Sequence, residues 1–257
     1  MDTIKSLKPN IVVVLNIIKL NATDSTNSYL KKLAHESHIE DPTIVISEAQ
    51  KKGRGQMGNS WTSIKGQSLT FSVFKKFDGL LADQQFAISM VTSLALAEAF
   101  GSLGVTNISI KWPNDILSGN KKITGILIEN VLEGVFIKHS VIGIGINVNE
   151  MEFENLPQAS SLKLETGINF NLEEVLDVVL NILLQKLELI SQLQFWELRH
   201  LYEKKMFRRN LISVFENPAG LRFNGIIKGI SDNGELIVAT ENKPNDKYQL
   251  KDLRLIF

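Results

Sequence analysis

Residues 52–61 read Lys-Gly-Arg-Gly-Gln-Met-Gly-Asn-Ser-Trp and lie between two strand-like segments, at 43–47 and 68–74. Glycines let a backbone approach a ligand closely, and the guanidinium of Arg54 offers paired hydrogen bonds to phosphate or carboxylate. The glycine spacing resembles the dinucleotide-binding fingerprint, but that motif requires a helix directly after the glycines. β-favouring residues follow instead. We therefore predict a loop between two strands that wraps an anion.

A flexible hairpin turn is the alternative explanation of this glycine loop. Three glycines together with Arg54 and Trp61 within nine residues are unusual for a plain turn, which favours a binding role. A protein-kinase phosphate loop has a similar spacing, but the chain contains neither a His-Arg-Asp nor an Asp-Phe-Gly signature. A kinase is therefore disfavoured.

Several segments have the capping residues and apolar spacing of helices. They are a helix that begins at the cap residues 24–27, a helix at 83–100, a long helix that begins after Asn171, and a stretch from Trp196 to about Met206. The apolar stripe of the long helix is most simply a surface that faces the core, and we assign it no function.

Strand-like runs lie between these helices, at 107–111, 123–131 and 140–149. Beyond Arg209 the chain contains short β-like runs, and Asn233-Gly234 is a strong hairpin signal. We therefore predict two domains, a larger one over residues 1–208 and a small all-β domain over residues 209–257.

Composition restricts the class of protein. Of the 257 residues, 44% are hydrophobic and 22% are charged, which is ordinary for a soluble globular protein. Lys+Arg and Asp+Glu both number 28, so no global basic field attracts nucleic acid or an anionic membrane. The absence of cysteine excludes disulfides, thiolate metal sites and a cysteine nucleophile. The apolar run at 11–15 is too short to span a bilayer and lacks a signal-cleavage pattern, so we predict a strand there and a cytoplasmic protein.

Three further motifs follow the glycine loop, and each has an ordinary structural explanation beside a functional one. The first motif is Lys111-Trp112-Pro113-Asn114-Asp115. Its cation, amide and carboxylate could bind a triphosphate and its metal ion, and an ordinary turn explains the motif equally well. Lys122 opens a strand and Gly125 in its interior leaves room for a ligand, although a pair of solvated lysines after a turn is the commoner explanation of Lys121 and Lys122. The run from Gly143 to Asn149 carries glycines at alternate strand positions, which mark the close approach of a ligand or of another backbone.

The order of these motifs resembles that of the biotin protein ligase family. Ser-Thr-Asn comes first, followed by Gly-Arg-Gly-x-x-Gly-x-x-Trp, Lys-Trp-Pro-Asn-Asp, Lys-x-x-Gly-Ile-Leu-x-Glu and Gly-x-Gly-x-Asn. The resemblance spans about residues 20 to 150, and the combination is highly specific. It implies an α+β fold in which a mixed β-sheet is flanked by helices, like a class II synthetase core, with a small C-terminal β-barrel domain.

The resemblance also implies a two-step reaction that uses ATP and Mg²⁺. The biotin carboxylate attacks the α-phosphorus of ATP, which gives biotinyl-5′-AMP and pyrophosphate. A lysine of a biotin carboxyl carrier protein domain then attacks the mixed anhydride, forming an amide and releasing AMP. Because two anions must meet in the first step, cations have to offset their repulsion. Arg54 and Lys122 are the leading candidates, with Lys111 in support.

Carried over residue by residue, the resemblance assigns a complete site. The implied catalytic residues are Arg54, Lys111 and Lys122. The implied biotin-binding residues are Ser25, Thr26, Asn27, Gln50, Gly53, Arg54, Lys122, Gly125 and Gly143. The implied nucleotide-binding residues are Arg54, Gln56, Asn59, Trp61, Asn114 and Asn147, and Asp115 is the implied metal ligand.

Two features depart from the pattern of many bacterial relatives. Those relatives place arginine where this chain has Gln56, and they often place arginine where it has Asn59. We therefore expect weaker retention of biotinyl-5′-AMP unless Lys51 or Lys52 compensates. Repressor-type members carry a helix-turn-helix domain before the ligase core, whereas only about twenty residues precede Asn21. We therefore expect the short, ligase-only type, which does not bind operator DNA.

Two rival functions stay open at this point. A lipoate or octanoate ligase shares the core fold, but it usually carries an Arg-rich triple-glycine loop and a following His-Asp pair, which this chain lacks. A non-catalytic biotin- or nucleotide-sensing module would keep the pocket without a reactive lysine, whereas Lys122 is present. Exposed sheet edges leave a homodimer open, and neither a nucleic acid nor a membrane is expected as a partner.

Overall fold

The computed structural model describes residues 15–257. The strand predicted at 11–15 therefore lies outside the described residues, apart from Leu15, and the first described strand begins at Asn16. Among the helices of the described part, none is long and apolar enough to cross a membrane.

A seven-stranded mixed sheet forms the centre of the molecule. Its strands are β1 (Asn16–Leu20), β2 (Thr43–Ser47), β3 (Ser68–Lys76), β4 (Ile108–Lys111), β5 (Asp115–Ser118), β6 (Lys121–Glu133) and β7 (Phe136–Asn147). Their order across the sheet is β1-β2-β3-β7-β6-β5-β4. β1 and β2 are parallel, and each of the other neighbouring pairs is antiparallel. The predicted mixed sheet is confirmed.

Helices cover both faces of this sheet, as predicted. They are α1 (Thr26–Glu36), α2 (Phe86–Ser102), α3 (Leu162–Thr166), α4 (Leu172–Glu188) and α5 (Phe195–Lys204). α1 packs through Leu30 onto a small apolar cluster that includes Phe74 of β3, whereas α2 and α4 belong to the main core. The side chain of Ser25 caps α1 and that of Asn171 caps α4, so both predicted helix starts are confirmed.

The alternation along β7 explains why the site lies on the α1 face. Successive side chains of a strand point to opposite faces, and Ile142, Ile144 and Ile146 belong to the main core beneath α2 and α4. Gly143 and Gly145 consequently face the α1 side, where they leave the sheet surface bare. The wall of the site is therefore backbone rather than side chain.

The C-terminal part folds as a five-stranded antiparallel sheet. Its strands are β8 (Ile212–Glu216), β9 (Arg222–Ile230), β10 (Leu236–Ala239), β11 (Asp246–Tyr248) and β12 (Arg254–Ile256), in the order β11-β10-β9-β8-β12. The hairpin predicted at Asn233-Gly234 joins β9 to β10. The indole of Trp112 donates to the Gly234 carbonyl at 2.9 Å, which fastens this sheet to the larger one. A boundary between residues 208 and 209 stays a prediction.

Candidate active site

A single cavity of about 610 Å³ lies between the α1 face of the large sheet, the glycine loop and the C-terminal sheet. It gathers fourteen of the sequence-predicted site residues, which are Ser25, Thr26, Asn27, Gln50, Arg54, Gln56, Asn59, Trp61, Lys111, Asn114, Asp115, Lys122, Gly125 and Gly143. Two predicted residues do not line it. Gly53 is buried behind Trp61, and the amide of Asn147 donates to the Ser160 carbonyl at 2.9 Å.

The glycine loop is a narrow hairpin that folds over the sheet. The Gly55 N–H donates to the Asn59 carbonyl at 2.7 Å, and the Trp61 N–H donates to the Gly53 carbonyl at 2.9 Å. The tip at 56–58 turns through left-handed conformations at Met57 (φ 57°) and Gly58 (φ 79°). The prediction of a loop between two strands is confirmed, since β2 precedes it and β3 follows it.

Trp61 at the end of this loop lies directly on the bare strand surface. A Cβ at Gly145 would overlap the indole ring, and one at Gly125 would lie 3.0 Å from Trp61 Cζ3. The Lys122 ammonium lies 5.6 Å from the centre of the ring, within cation–π range. Trp61 Nε1 is buried and has no hydrogen-bond partner among the described residues. The glycines of β6 and β7 are therefore needed for the tryptophan to reach the sheet.

One end of the cavity is neutral and rich in hydrogen-bonding groups. Gln50 Oε1 accepts from the Thr26 N–H at 2.8 Å and lies 3.2 Å from the Thr26 hydroxyl. The Ser72 hydroxyl lies 2.7 Å from Thr26 Oγ1 and 2.5 Å from Asn27 Oδ1. A Cβ at Gly143 would overlap Asn27 Oδ1. These groups, of which Thr26, Asn27 and Ser72 are buried, hold one another in fixed orientations at the N-terminus of α1.

The other end of the cavity is cationic. Asp115 Oδ1 lies 2.7 Å from Lys122 Nζ, and Asp115 Oδ2 lies 3.7 Å from Lys111 Nζ. The Lys111 ammonium also lies 5.2 Å from the ring centre of Phe257. Two lysines share one carboxylate, so this end carries an uncompensated positive charge that suits an anion. Asn114 supports the geometry, since its amide donates to the Ile126 carbonyl at 2.8 Å.

Asp115 does not fit a metal site held by the protein. Both of its carboxylate oxygens already face lysine ammonium groups, and residues 15–257 contain no cluster of three or more His, Cys, Asp or Glu side chains suited to a metal ion. Mg²⁺ prefers carboxylate and phosphate oxygens together with water. Such an ion would therefore depend on the phosphates of a nucleotide.

Sequence reasoning missed the wall that the C-terminal sheet supplies. Its lining residues include Glu216, Asn217, Gly220, Lys251, Arg254 and Leu255. Arg254 and Arg222 both pair with Glu216, at 2.6 Å and 2.9 Å, and hold the pKa of its carboxyl below the ordinary value. These residues follow the Lys-Trp-Pro-Asn-Asp motif by about a hundred positions or more and form no motif of their own. Only the packing of the C-terminal sheet against the large sheet brings these residues to the cavity, and no local sequence pattern signals it.

The fold and the cavity define a class of protein: an α+β protein with an internal cavity that is neutral and hydrogen-bonding at one end and cationic at the other. The sequence model described as "Biotin/lipoate A/B protein ligase family" matches residues 20–147. A biotin–[acetyl-CoA-carboxylase] ligase of Paracoccus denitrificans is 30% identical over 85% of this chain and 92% of the relative. The chain belongs to this family.

Two further relatives support the membership. The bifunctional ligase/repressor BirA of Escherichia coli K12 is 29% identical over 87% of this chain and 69% of the relative. A crystallised biotin protein ligase of Aquifex aeolicus, in complex with biotin and ATP, superposes with a TM-score of 0.76 at 28% identity, covering 94% of this chain and 98% of the other. Because 94% of this chain is covered, the similarity to the Aquifex aeolicus structure includes the C-terminal sheet.

Proposed function

We propose that this protein is a biotin protein ligase. It activates biotin with ATP as biotinyl-5′-AMP, releases pyrophosphate, and transfers the biotinyl group to a lysine of a biotin carboxyl carrier domain with release of AMP. The observation that carries the proposal is the joining of a neutral, hydrogen-bonding end and a cationic end in one cavity beneath an arginine-bearing loop. Such a site matches biotin, which is a neutral ureido ring with a carboxylate at the end of its side chain.

The neutral end would hold the ureido ring. Thr26, Gln50 and Asn27 present fixed donors and acceptors, and the glycine wall at Gly143 leaves room for a flat ring against the backbone. Ser25 begins α1 beside them. A buried ureido group that lacks a partner costs roughly 1–3 kcal/mol for each unmet hydrogen bond, so these contacts would provide specificity.

The cationic end would bring the carboxylate and the α-phosphate together. Lys122 projects over the sheet between Trp61 and Asp115, with Lys111 beside it. Preorganised positive charge stabilises the charge that develops on the non-bridging oxygens during attack at phosphorus. The reaction needs no covalent enzyme intermediate, which agrees with a chain that has no cysteine.

The nucleotide would lie between the glycine loop and the C-terminal sheet. Arg54, Gln56, Asn59 and Trp61 face this part of the cavity from the loop, and Asn114 faces it from the sheet. Asn147 would act indirectly, because it holds the Ser160 carbonyl while Ser160 N–H donates to the Lys122 carbonyl at 2.9 Å. Gly53 would likewise act by letting Trp61 pack closely.

The proposal is tested by pyrophosphate exchange into ATP with purified protein, comparing biotin, lipoate and no acid. We expect exchange with biotin alone, followed by amide formation when a biotin carboxyl carrier domain is added. Exchange with lipoate alone would assign the lipoate reaction instead. Tight biotin binding without exchange would identify a sensing module.

A further inference from the structure

Glu129 on β6 joins the glycine loop to helix α1. Its Oε2 lies 2.6 Å from Arg54 Nη2 and 3.0 Å from the Asn27 amide nitrogen, and its Oε1 lies 2.8 Å from Lys31 Nζ. The carboxylate therefore touches the proposed phosphate-binding arginine and a proposed biotin-binding residue through one oxygen. Glu129 itself is absent from the cavity lining.

The local charges keep Glu129 ionised. Burial opposes its ionisation, but the hydrogen bonds from Lys31 and Asn27 and the charge of Arg54 hold the pKa of its carboxyl below the ordinary value. One carboxylate thus faces two cations. The excess positive charge of this cluster is available to an anion in the cavity.

Arg54 depends on this contact for its position. Its side chain is 42% exposed, and the hydrogen bond to Glu129 is the one its guanidinium makes to another described residue. A guanidinium has five N–H donors, and this bond uses Nη2, so further donors are left for a ligand. Without Glu129 the arginine would be a long, unrestrained side chain on a loop.

We propose that Glu129 is a positioning residue for adenylation. It fixes the Arg54 guanidinium over the cavity and couples the glycine loop to Asn27, so that the loop arginine and the biotin end are held in register. It does not touch the substrate. This inference rests on the proposed function, since Arg54 needs an anionic ligand for its position to matter.

Double-mutant analysis in the exchange assay tests this role. The proteins are wild type, Glu129→Gln, Arg54→Ala and the double variant, with Lys31→Met as the matched control that removes the other cation from the same carboxylate. We expect Glu129→Gln to lower kcat for biotin-dependent exchange roughly ten- to hundredfold, because small misplacements of a catalytic group are costly. Lys31→Met should change kcat by less than about twofold, as is usual for an exposed ion pair.

The effect of Glu129→Gln in the Arg54→Ala protein, compared with its effect in the wild type, distinguishes positioning of Arg54 from a structural role. If Glu129 acts through Arg54, Glu129→Gln has no further effect on kcat once Arg54 is alanine. An equal loss in both backgrounds would overturn the inference, since Glu129 would then act independently of Arg54. An unchanged kcat for exchange in the Glu129→Gln protein would overturn the inference about Glu129 but not the proposed function. Absence of exchange in the wild type would overturn both. Thermal unfolding of all five proteins separates loss of fold from loss of position.

Discussion

The two ends of the cavity lie on the same face of one sheet but are stabilised in different ways. At the neutral end Thr26 and Asn27 are 4% and 3% exposed and bond to neighbouring side chains. At the cationic end the side chains of Lys111 and Lys122 are 29% and 35% exposed and share Asp115. The first end therefore presents buried groups in fixed orientations, whereas the second presents partly solvated positive charge.

The contrast follows from the elements that build each end. The neutral end lies at the N-terminus of α1, where a cap residue and the start of the helix fix the backbone. The cationic end lies on the neighbouring strands β4, β5 and β6, and residues of the glycine loop and of the C-terminal sheet close it. Substitutions at the neutral end should therefore act on biotin binding, and those at the cationic end on the chemical step.

The largest effect is expected at the cationic end, from Lys122→Ala. Removing this charge should lower kcat for exchange by about 10²- to 10³-fold, because preorganised charge stabilises the transition state more than the ground state. The control is Lys121→Ala, since the neighbouring ammonium instead bonds the Pro157 carbonyl. Steady-state exchange kinetics measure both. A Lys122→Ala protein that loses biotin affinity but keeps kcat would erase the distinction between the two ends.

The second largest effect is expected at the neutral end, where Gly143→Ala should weaken biotin binding. The added Cβ would overlap Asn27 Oδ1, and overpacking of this kind costs roughly 1–3 kcal/mol, so we expect biotin affinity to fall about five- to 150-fold. Gly101→Ala is the control, because its Cβ would meet only Ile108 Cδ1, at 3.9 Å, and Gly101 does not line the cavity. Calorimetric titration with biotin measures both. Equal affinities in the two variants would contradict a rigid neutral end.

The sequence predicted the neutral end better than the surroundings of the cationic end. Ser25, Thr26 and Asn27 are neighbours in the chain, and a helix cap places them together whatever the rest of the fold does. Two successive hairpins bring Lys111 and Lys122 to Asp115: Lys111 pairs with Asp115 across β4 and β5, and Lys122 lies on β6 after the turn Ser118-Gly119-Asn120, a sequence typical of turns. The family resemblance selected these residues, and local patterns explain why they lie together.

Contacts between distant segments could not be predicted in this way. The Arg54–Glu129 pair joins residues 75 positions apart, and the packing of Trp61 on Gly145 depends on strand order in the sheet. The wall formed by Glu216 and Arg254 depends on how the small sheet meets the large one. Such placements follow from tertiary packing, which periodicity and capping do not encode.

A smaller effect is expected when one hydrogen bond at the neutral end is removed. Thr26→Val keeps the shape of the side chain but loses the hydroxyl next to Gln50 and Ser72, so biotin affinity should fall about three- to tenfold. Thr43→Val is the control, because that hydroxyl donates to the Glu40 carbonyl away from the cavity. Titration should show weaker biotin binding in Thr26→Val alone. A similar loss in both variants would indicate a general effect on stability.

The smallest effect concerns the loop above the cationic end, at Gln56→Arg. Gln56 lines the cavity where many bacterial relatives are expected to carry arginine, so a guanidinium there should slow the dissociation of biotinyl-5′-AMP by about two- to fivefold, the range of a partly exposed ion pair. Gln192→Arg adds the same charge at an exposed position outside the cavity. Displacement kinetics with excess biotin measure the rate. An unchanged rate would refute the expectation of weak adenylate retention, because neither Lys51 nor Lys52 lines the cavity and Lys52 pairs with Asp24 at 3.2 Å.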